Sequence, residues 1–186
     1  MKPDTRRVTV AGPAGAIECA IDEPADGTAL RGVAVLCHPH PQFGGTMDNK
    51  VVQTLARAFV QLGYRAVRFN FRGVGGSAGA WNEGLGEIDD AIAVIAAQRA
   101  AAPGLPLALG GFSFGGYVAA NAAHRLAATD AVQRLVLVGP ATSRFAMPAA
   151  VAADTLVIHG EADDVVPLSA TLDWARPQVL PVVVLP

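Results

Sequence analysis

The sequence has few cysteines and a small net charge. The 186 residues include two cysteines. Cys19 and Cys37 lie in segments with the pattern of strands, so we expect two small core side chains rather than a disulfide. The 14 basic residues are balanced by 16 acidic ones, which leaves a net charge of −2. This balance lacks the positive field that phosphate-backbone binding needs, so nucleic acid is not an expected partner.

Long apolar runs are also missing. Residues 100–124 contain no Asp, Glu, Lys or Arg, yet prolines and glycines interrupt this segment, so it does not predict a membrane helix. The N-terminus has no apolar stretch like that of a secretory signal, and a cytoplasmic location is therefore expected. Hydrophobic residues make up 52% of the chain, which excludes disorder, and the length predicts a single domain over residues 1–186.

Two kinds of periodicity indicate a mostly parallel α/β sheet with helices on both faces. Alternating runs at 7–10 and 16–21 flank a glycine-rich turn, which predicts an N-terminal antiparallel hairpin. Beyond residue 32, short apolar runs alternate with segments of helical period, as in βαβ units. The candidate strands are 33–38, 66–71, 105–110, 134–139, 155–159 and 181–185, and the candidate helices are 48–62, 87–99, 114–128 and 168–175.

Ser113 is the candidate nucleophile. The segment 111–115 reads Gly-Phe-Ser-Phe-Gly and joins a predicted buried strand to a predicted helix, the context that a G-x-S-x-G nucleophile elbow requires. Glycines two positions before and after the serine give room to a strained, crowded turn. The helix start would place the backbone N–H of Phe114 beside the serine oxygen, where an oxyanion develops. The alternative is a glycine-rich turn with an incidental serine.

Further site residues are expected at the carboxyl ends of neighbouring strands, because catalytic groups converge there in parallel sheets. An acidic loop follows the predicted strand 155–159, and in it we choose Asp163, with Asp164 as second choice, to orient a histidine. The loop after strand 33–38 should supply a second oxyanion donor. Its prolines have no N–H, so the backbone N–H groups of His40 and Gln42 remain, and His40 is favoured.

Four segments together resemble the α/β-hydrolase superfamily, in particular its small lidless members that are predicted to be serine hydrolases. The segments are 38–50, which matches H-P-x-x-x-x-G-G-x-M-x-N-K, 70–77, which is similar to D/N-x-R-G-x-G-x-S, the elbow 111–115, and 159–163, which is similar to H-G-x-x-D. The resemblance covers roughly residues 30–186. It implies Ser113 as nucleophile and Asp163 as triad acid, with Phe114 and His40 as oxyanion donors and no cofactor or metal.

The triad histidine departs from the family pattern. In this superfamily it follows the last strand, and the sequence ends at Pro186, directly after that strand. None of the four histidines is a convincing substitute. We therefore expect the histidine to lie in a C-terminal segment beyond residue 186, and we expect the 186-residue chain itself to have very low esterase activity.

Three other interpretations compete with serine chemistry. A chain without a triad histidine can be a non-catalytic binding module that keeps the pocket. His38 and His40 resemble the H-x-H metal pair of metal-dependent hydrolases. Residues 73–78 loosely match a dinucleotide fingerprint, although a structural loop in which Arg72 anchors backbone or a carboxylate explains them better.

The expected substrate is a small acyl ester. The segment between the strands 134–139 and 155–159 is too short for a helical lid, so the site should be open. An open pocket with aromatic walls suits a short-chain or small aromatic acyl group. The expected wall residues are Phe43, Trp81, Phe112, Phe114 and either Phe145 or Met147.

Overall fold

The computed structural model describes residues 5–186, so residues 1–4 of the predicted domain, which include the start of the segment examined for a secretory signal, lie outside the described part. The strands are β1 (Arg6–Gly12), β2 (Gly15–Asp22), β3 (Gly32–Cys37), β4 (Tyr64–Phe69), β5 (Leu107–Phe112), β6 (Arg134–Val138), β7 (Leu156–Gly160) and β8 (Val182–Leu185). The helices are α1 (Lys50–Gln61), α2 (Leu85–Ala101), α3 (Phe114–Leu126) and α4 (Leu168–Ala175), with short 3-10 helices at Pro41–Phe43 and Arg176–Gln178.

The strands form one eight-stranded sheet in the order β1-β2-β4-β3-β5-β6-β7-β8. The hairpin β1–β2 is antiparallel and joins β4 in antiparallel fashion. From β4 to β8 all neighbours are parallel. The predicted mostly parallel sheet with an N-terminal antiparallel hairpin is therefore confirmed.

Helices cover both faces of the central strands. Along β3, Ala34 and Leu36 pack with α1, whereas Val33, Val35 and Cys37 pack with α2 and α3 on the opposite face. This alternation explains why β3 is apolar at nearly every position, since successive side chains enter different cores.

The cysteines behave as small core side chains. Cys19 on β2 and Cys37 on β3 are buried free thiols, which confirms the prediction that no disulfide joins them. Burial raises the pKa of the Cys19 thiol to about 12, and the negative charge of Glu18 acts in the same direction.

Strand β5 ends two residues later than the sequence predicts. Gly111 pairs with Cys37 of β3, and Phe112 pairs with Val138 of β6. Neighbours on both sides therefore extend the ladder up to the residue before Ser113.

The connection between β6 and β7, residues 139–155, contains no helix.

Within residues 5–186, no helix combines the length and apolar character needed to cross a bilayer.

Candidate active site

Ser113 lies between the end of β5 and the start of α3, with φ 54° and ψ −117°. A positive φ is unfavourable for a residue with a Cβ and costs about 1–3 kcal/mol. Hydrogen bonds hold the residue there: its N–H donates to the Val138 carbonyl at 2.9 Å, and its carbonyl accepts from Gly116 at 2.9 Å and Ala141 at 3.2 Å. The elbow geometry is thus maintained by β6, by α3 and by the segment after β6.

The two glycines of the elbow allow backbone segments to touch. A Cβ on Gly111 would lie 2.0 Å from the Gly115 carbonyl oxygen, and a Cβ on Gly115 would lie 2.2 Å from the Cys37 carbonyl oxygen. Both positions exclude any larger side chain without backbone movement. The serine is therefore held against the carboxyl end of β3, from which the 38–45 loop departs.

Asp163 lines the same cavity as Ser113, whereas Asp164 is not among the lining residues. Asp163 Oδ1 accepts hydrogen bonds from the N–H groups of Val165 and Val166, both at 2.9 Å. These bonds fix the carboxylate at the start of the loop after β7.

His159 supports the loop that carries Asp163. The imidazole is buried, and its Nε2 donates to the Val166 carbonyl at 2.8 Å while lying 3.8 Å from Asp163 Oδ2. Nδ1 of this ring has no hydrogen-bond partner within the described residues. His159 is bonded to the loop backbone and does not line the cavity, so it is a structural neighbour of the carboxylate.

Two backbone N–H groups near the serine remain open. Within residues 5–186, neither Phe114 nor His40 donates its backbone N–H to a protein acceptor. Phe114 is the first residue of α3, and its N–H is one of the donors that a helix leaves unsatisfied. The structure thus leaves available the two donors that the sequence analysis selected.

The His40 side chain is a neutral ring in an aromatic setting. Its centroid lies 4.5 Å from that of Trp81 and 5.0 Å from that of Phe114. Burial lowers its pKa, although the Glu87 carboxylate acts in the opposite direction. Nδ1 accepts from the Gln42 N–H at 3.3 Å, so the proton of the neutral ring is on Nε2. With this tautomer the ring has no free lone pair to accept the serine proton.

His38 is a buried link between two loops. Its Nε2 accepts from the Phe71 N–H at 3.1 Å, and Nδ1 donates to the Pro39 carbonyl at 2.6 Å. Burial lowers its pKa to about 4. Both ring nitrogens are in use, so the hypothesis of a metal held by His38 and His40 has no geometric support. The part of the chain that the structure describes contains no group of three His, Cys, Asp or Glu side chains placed to hold a metal.

Arg72 occupies the structural role that the sequence analysis preferred over dinucleotide binding. Its Nε and Nη2 donate to the two carboxylate oxygens of Asp90 at 2.9 and 2.8 Å, and its backbone N–H also donates to Asp90. This ion pair raises the Arg72 pKa above its usual range. The guanidinium therefore ties the loop after β4 to helix α2.

The cavity at Ser113 has a volume of about 560 Å³. Four of the expected aromatic residues line it, namely Phe43, Phe112, Phe114 and Phe145. Trp81 is not among the lining residues, and its ring packs against Phe114, with ring centroids 5.1 Å apart. Met147 packs against the core instead. Arg144, Val165 and Val166 also line the cavity, and the sequence analysis missed them because they lie in irregular segments without periodicity.

Among residues 5–186, His40 is the one histidine that lines the cavity at Ser113. Both ring nitrogens of His38 form hydrogen bonds, and Nε2 of His159 is bonded to the loop after β7. His124 is exposed on α3 and lines a separate cavity. The structure thus places the candidate nucleophile and the candidate acid on one cavity.

Residues 35–154, more than half of the chain, match the family model of the alpha/beta hydrolase fold. The chain belongs to the α/β-hydrolase family. This membership confirms the resemblance that the sequence motifs indicated and supports a hydrolase.

Solved structures of other α/β hydrolases resemble the whole chain. A serine hydrolase without a lid from Xanthomonas campestris is 39% identical, with a TM-score of 0.87 over 100% of this chain and 85% of that one. A serine hydrolase homologue from Coxiella burnetii is 38% identical, with a TM-score of 0.87 over 97% of this chain and 86% of that one.

A curated relative matches part of the chain. An uncharacterized protein from Rickettsia prowazekii is 40% identical over 109 residues, which is 58% of this chain and 45% of the relative. The chain thus covers less than half the length of this curated relative.

Proposed function

We propose that this α/β hydrolase is a carboxylesterase-like serine hydrolase that cleaves small acyl esters through an acyl-enzyme on Ser113, without a cofactor. The observation that carries the proposal is a strained serine at a strand–helix elbow, which shares a cavity with the fixed carboxylate of Asp163. Both groups lie beyond the carboxyl ends of parallel strands, where this architecture gathers catalytic groups. A single lidless domain over residues 1–186 is part of the same proposal.

The reaction begins when Ser113 Oγ attacks the carbonyl carbon of the ester and a base accepts the hydroxyl proton. Negative charge then develops on the carbonyl oxygen, where the N–H groups of Phe114 and His40 stabilise it. The alcohol leaves with a proton, and water attacks the acyl-enzyme to release the acid and restore the serine. In this scheme Asp163 orients an imidazole and stabilises its charged form.

The cavity favours a small acyl group. Its volume of about 560 Å³ lies within the range of small-molecule sites, and its walls are mainly aromatic and aliphatic. Residues 139–155 contain no helix that could act as a lid, and this segment contributes Arg144 and Phe145 to the cavity wall. Short-chain and small aromatic esters fit such a site better than long lipids.

Imidazole supplied in solution tests the proposal on the 186-residue chain. Loss of one triad member lowers kcat by on the order of 10⁶ and leaves roughly 10³–10⁴ over water, so the chain alone should hydrolyse p-nitrophenyl acetate very slowly. Added imidazole can accept the serine proton beside Asp163. We expect a protein-dependent rate that rises with imidazole concentration, measured after subtraction of the protein-free rate.

Matched variants identify the groups responsible. Ser113→Ala should remove the imidazole-dependent rate and the labelling of the chain by an active-serine phosphonate. Asp163→Asn should bring the rate most of the way down to that of Ser113→Ala, whereas Asp164→Asn should leave it unchanged. An equal imidazole response in the wild type and in Ser113→Ala would contradict the proposal.

A non-catalytic binding module is the second candidate, favoured by one observation: His40 is the one histidine of residues 5–186 that lines the cavity, and its Nδ1 already accepts from the Gln42 N–H. Such a module would bind small esters or acids in the cavity. It would show no Ser113-dependent turnover at any imidazole concentration, so the same assay separates the two candidates.

A further inference from the structure

The cavity at Ser113 contains one basic side chain. Its polar lining consists of Ser113, His40, Asp163 and Arg144, and the remaining lining residues are aromatic, aliphatic, Gly or Pro. The Arg144 side chain forms no hydrogen bond or ion pair with any of residues 5–186. Its guanidinium donors are therefore open to a ligand.

Arg144 is placed by the same hydrogen bonds that hold the elbow. The Ala141 N–H donates to the Ser113 carbonyl at 3.2 Å, and the Ala141 carbonyl accepts from the N–H groups of Arg144 and Phe145, each at 3.1 Å. The turn that begins at Ala141 thus joins the Ser113 backbone to Arg144. Phe145 anchors this turn, since its ring lies 5.1 Å from that of Phe114 and 4.9 Å from that of Tyr117.

Asp163 does not neutralise this cation. It is the one carboxylate among the described lining residues, and it forms no ion pair with Arg144. Its Oδ1 already accepts two backbone N–H groups. An anionic ligand group beside Arg144 therefore meets a guanidinium whose charge no protein carboxylate offsets at contact distance.

We propose that Arg144 is a specificity-determining residue and that the substrate is an ester that also carries a carboxylate. This inference rests on the proposed function, because it names the substrate class of the Ser113 site. A planar guanidinium can bind both oxygens of a carboxylate. The apolar walls hold the carbon chain between the ester and the acid group. Arg144 is exposed, so water weakens the pair, and a moderate preference follows.

Equilibrium binding tests the preference without any need for turnover. The dissociation constants of monomethyl adipate and dimethyl adipate are measured by NMR titration of the labelled 186-residue chain. These ligands have the same chain length and differ in one carboxylate on the acyl side. A second pair, 4-acetamidobenzoate and its methyl ester, carries a stable amide in place of the cleavable ester and has the carboxylate on the leaving-group side of it. For at least one pair we expect the anion to bind roughly three- to tenfold more tightly than the neutral ester.

Three variants test whether Arg144 causes this preference. Arg144→Gln should bring the ratio of the dissociation constants of the neutral ester and the anion to about one, and Arg144→Lys should keep part of the preference. Arg6→Gln removes the same charge from the exposed edge strand β1, away from the cavity, and should keep the wild-type ratio. A wild-type ratio of one for both pairs, or an unchanged ratio in Arg144→Gln, would overturn the inference. Because binding is the readout, absence of Ser113-dependent hydrolysis would count against the proposed function alone.

Discussion

Ser113 combines a reactive position with a backbone conformation that a side chain disfavours. Glycine adopts φ 54° without the Cβ penalty, although it loses more entropy on folding. We therefore predict that Ser113→Gly is more stable than Ser113→Ala by about 1 kcal/mol. Urea unfolding of the two variants measures this difference, and neither variant should be labelled by a phosphonate. Equal stability would mean that the hydrogen bonds to Val138 and Ala141 do not impose the strain.

Residues in local motifs could be predicted from the sequence, and residues in irregular segments could not. Glycine spacing and a strand–helix context located Ser113, and Asp163 was placed by its distance beyond a predicted strand. Arg144 was missed because its position depends on the hydrogen bond between Ala141 and Ser113, which joins segments far apart in the chain. Trp81 was predicted to line the cavity but does not, and its packing against Phe114 has no sequence signature. The catalytic roles of these residues stay predictions.

The elements β3 and β4 are joined at their carboxyl ends by His38, whose ring bridges the Pro39 carbonyl and the Phe71 N–H. Burial lowers the pKa of His38 to about 4 from its usual 6.5. Between these values the unfolded chain binds more protons than the folded one, so stability falls as pH decreases from about 6.5 to about 4. At 1.36 kcal/mol per pKa unit, the full loss is about 3 kcal/mol.

Urea unfolding between pH 7 and pH 4 measures this contribution. His38→Gln has no titrating ring, so its unfolding free energy should fall less steeply with decreasing pH than that of the wild type. His124→Gln, on the exposed surface of α3, should follow the wild type. Parallel curves for the wild type and His38→Gln would show that the link does not titrate in this range.

The order and type of the long elements follow from hydrophobic periodicity. The six predicted parallel-sheet strands and four predicted helices occur in the predicted order, with ends shifted by only a few residues. Ends depend on neighbours, as at β5, where pairing with β3 and β6 extends the strand to Phe112. The 3-10 helix Pro41–Phe43 escaped prediction because a single turn carries too few residues to show a period.

The whole molecule has one continuous sheet, and residues of β1 through β6 share the core beneath α2 and α3. We therefore predict that the chain unfolds as one domain. Tryptophan fluorescence and far-ultraviolet circular dichroism should give coincident urea transitions. Trp81 follows β4 and Trp174 lies on α4, so the two side chains report from different parts of the fold, and two separated transitions would contradict the single-domain proposal.

The position of β3 in the middle of the sheet has a consequence for how the chain reaches its native state. β3 pairs with β4 and β5, yet both strands lie far from it in sequence. Residues 38–63 separate β3 from β4, and residues 38–106 separate it from β5. Closing such loops costs chain entropy before any parallel pairing compensates for it. Topologies of this kind have high contact order and fold more slowly than helical bundles of similar stability. The Ser113 elbow packs against the end of β3, so we expect the elbow to form only after the centre of the sheet has assembled.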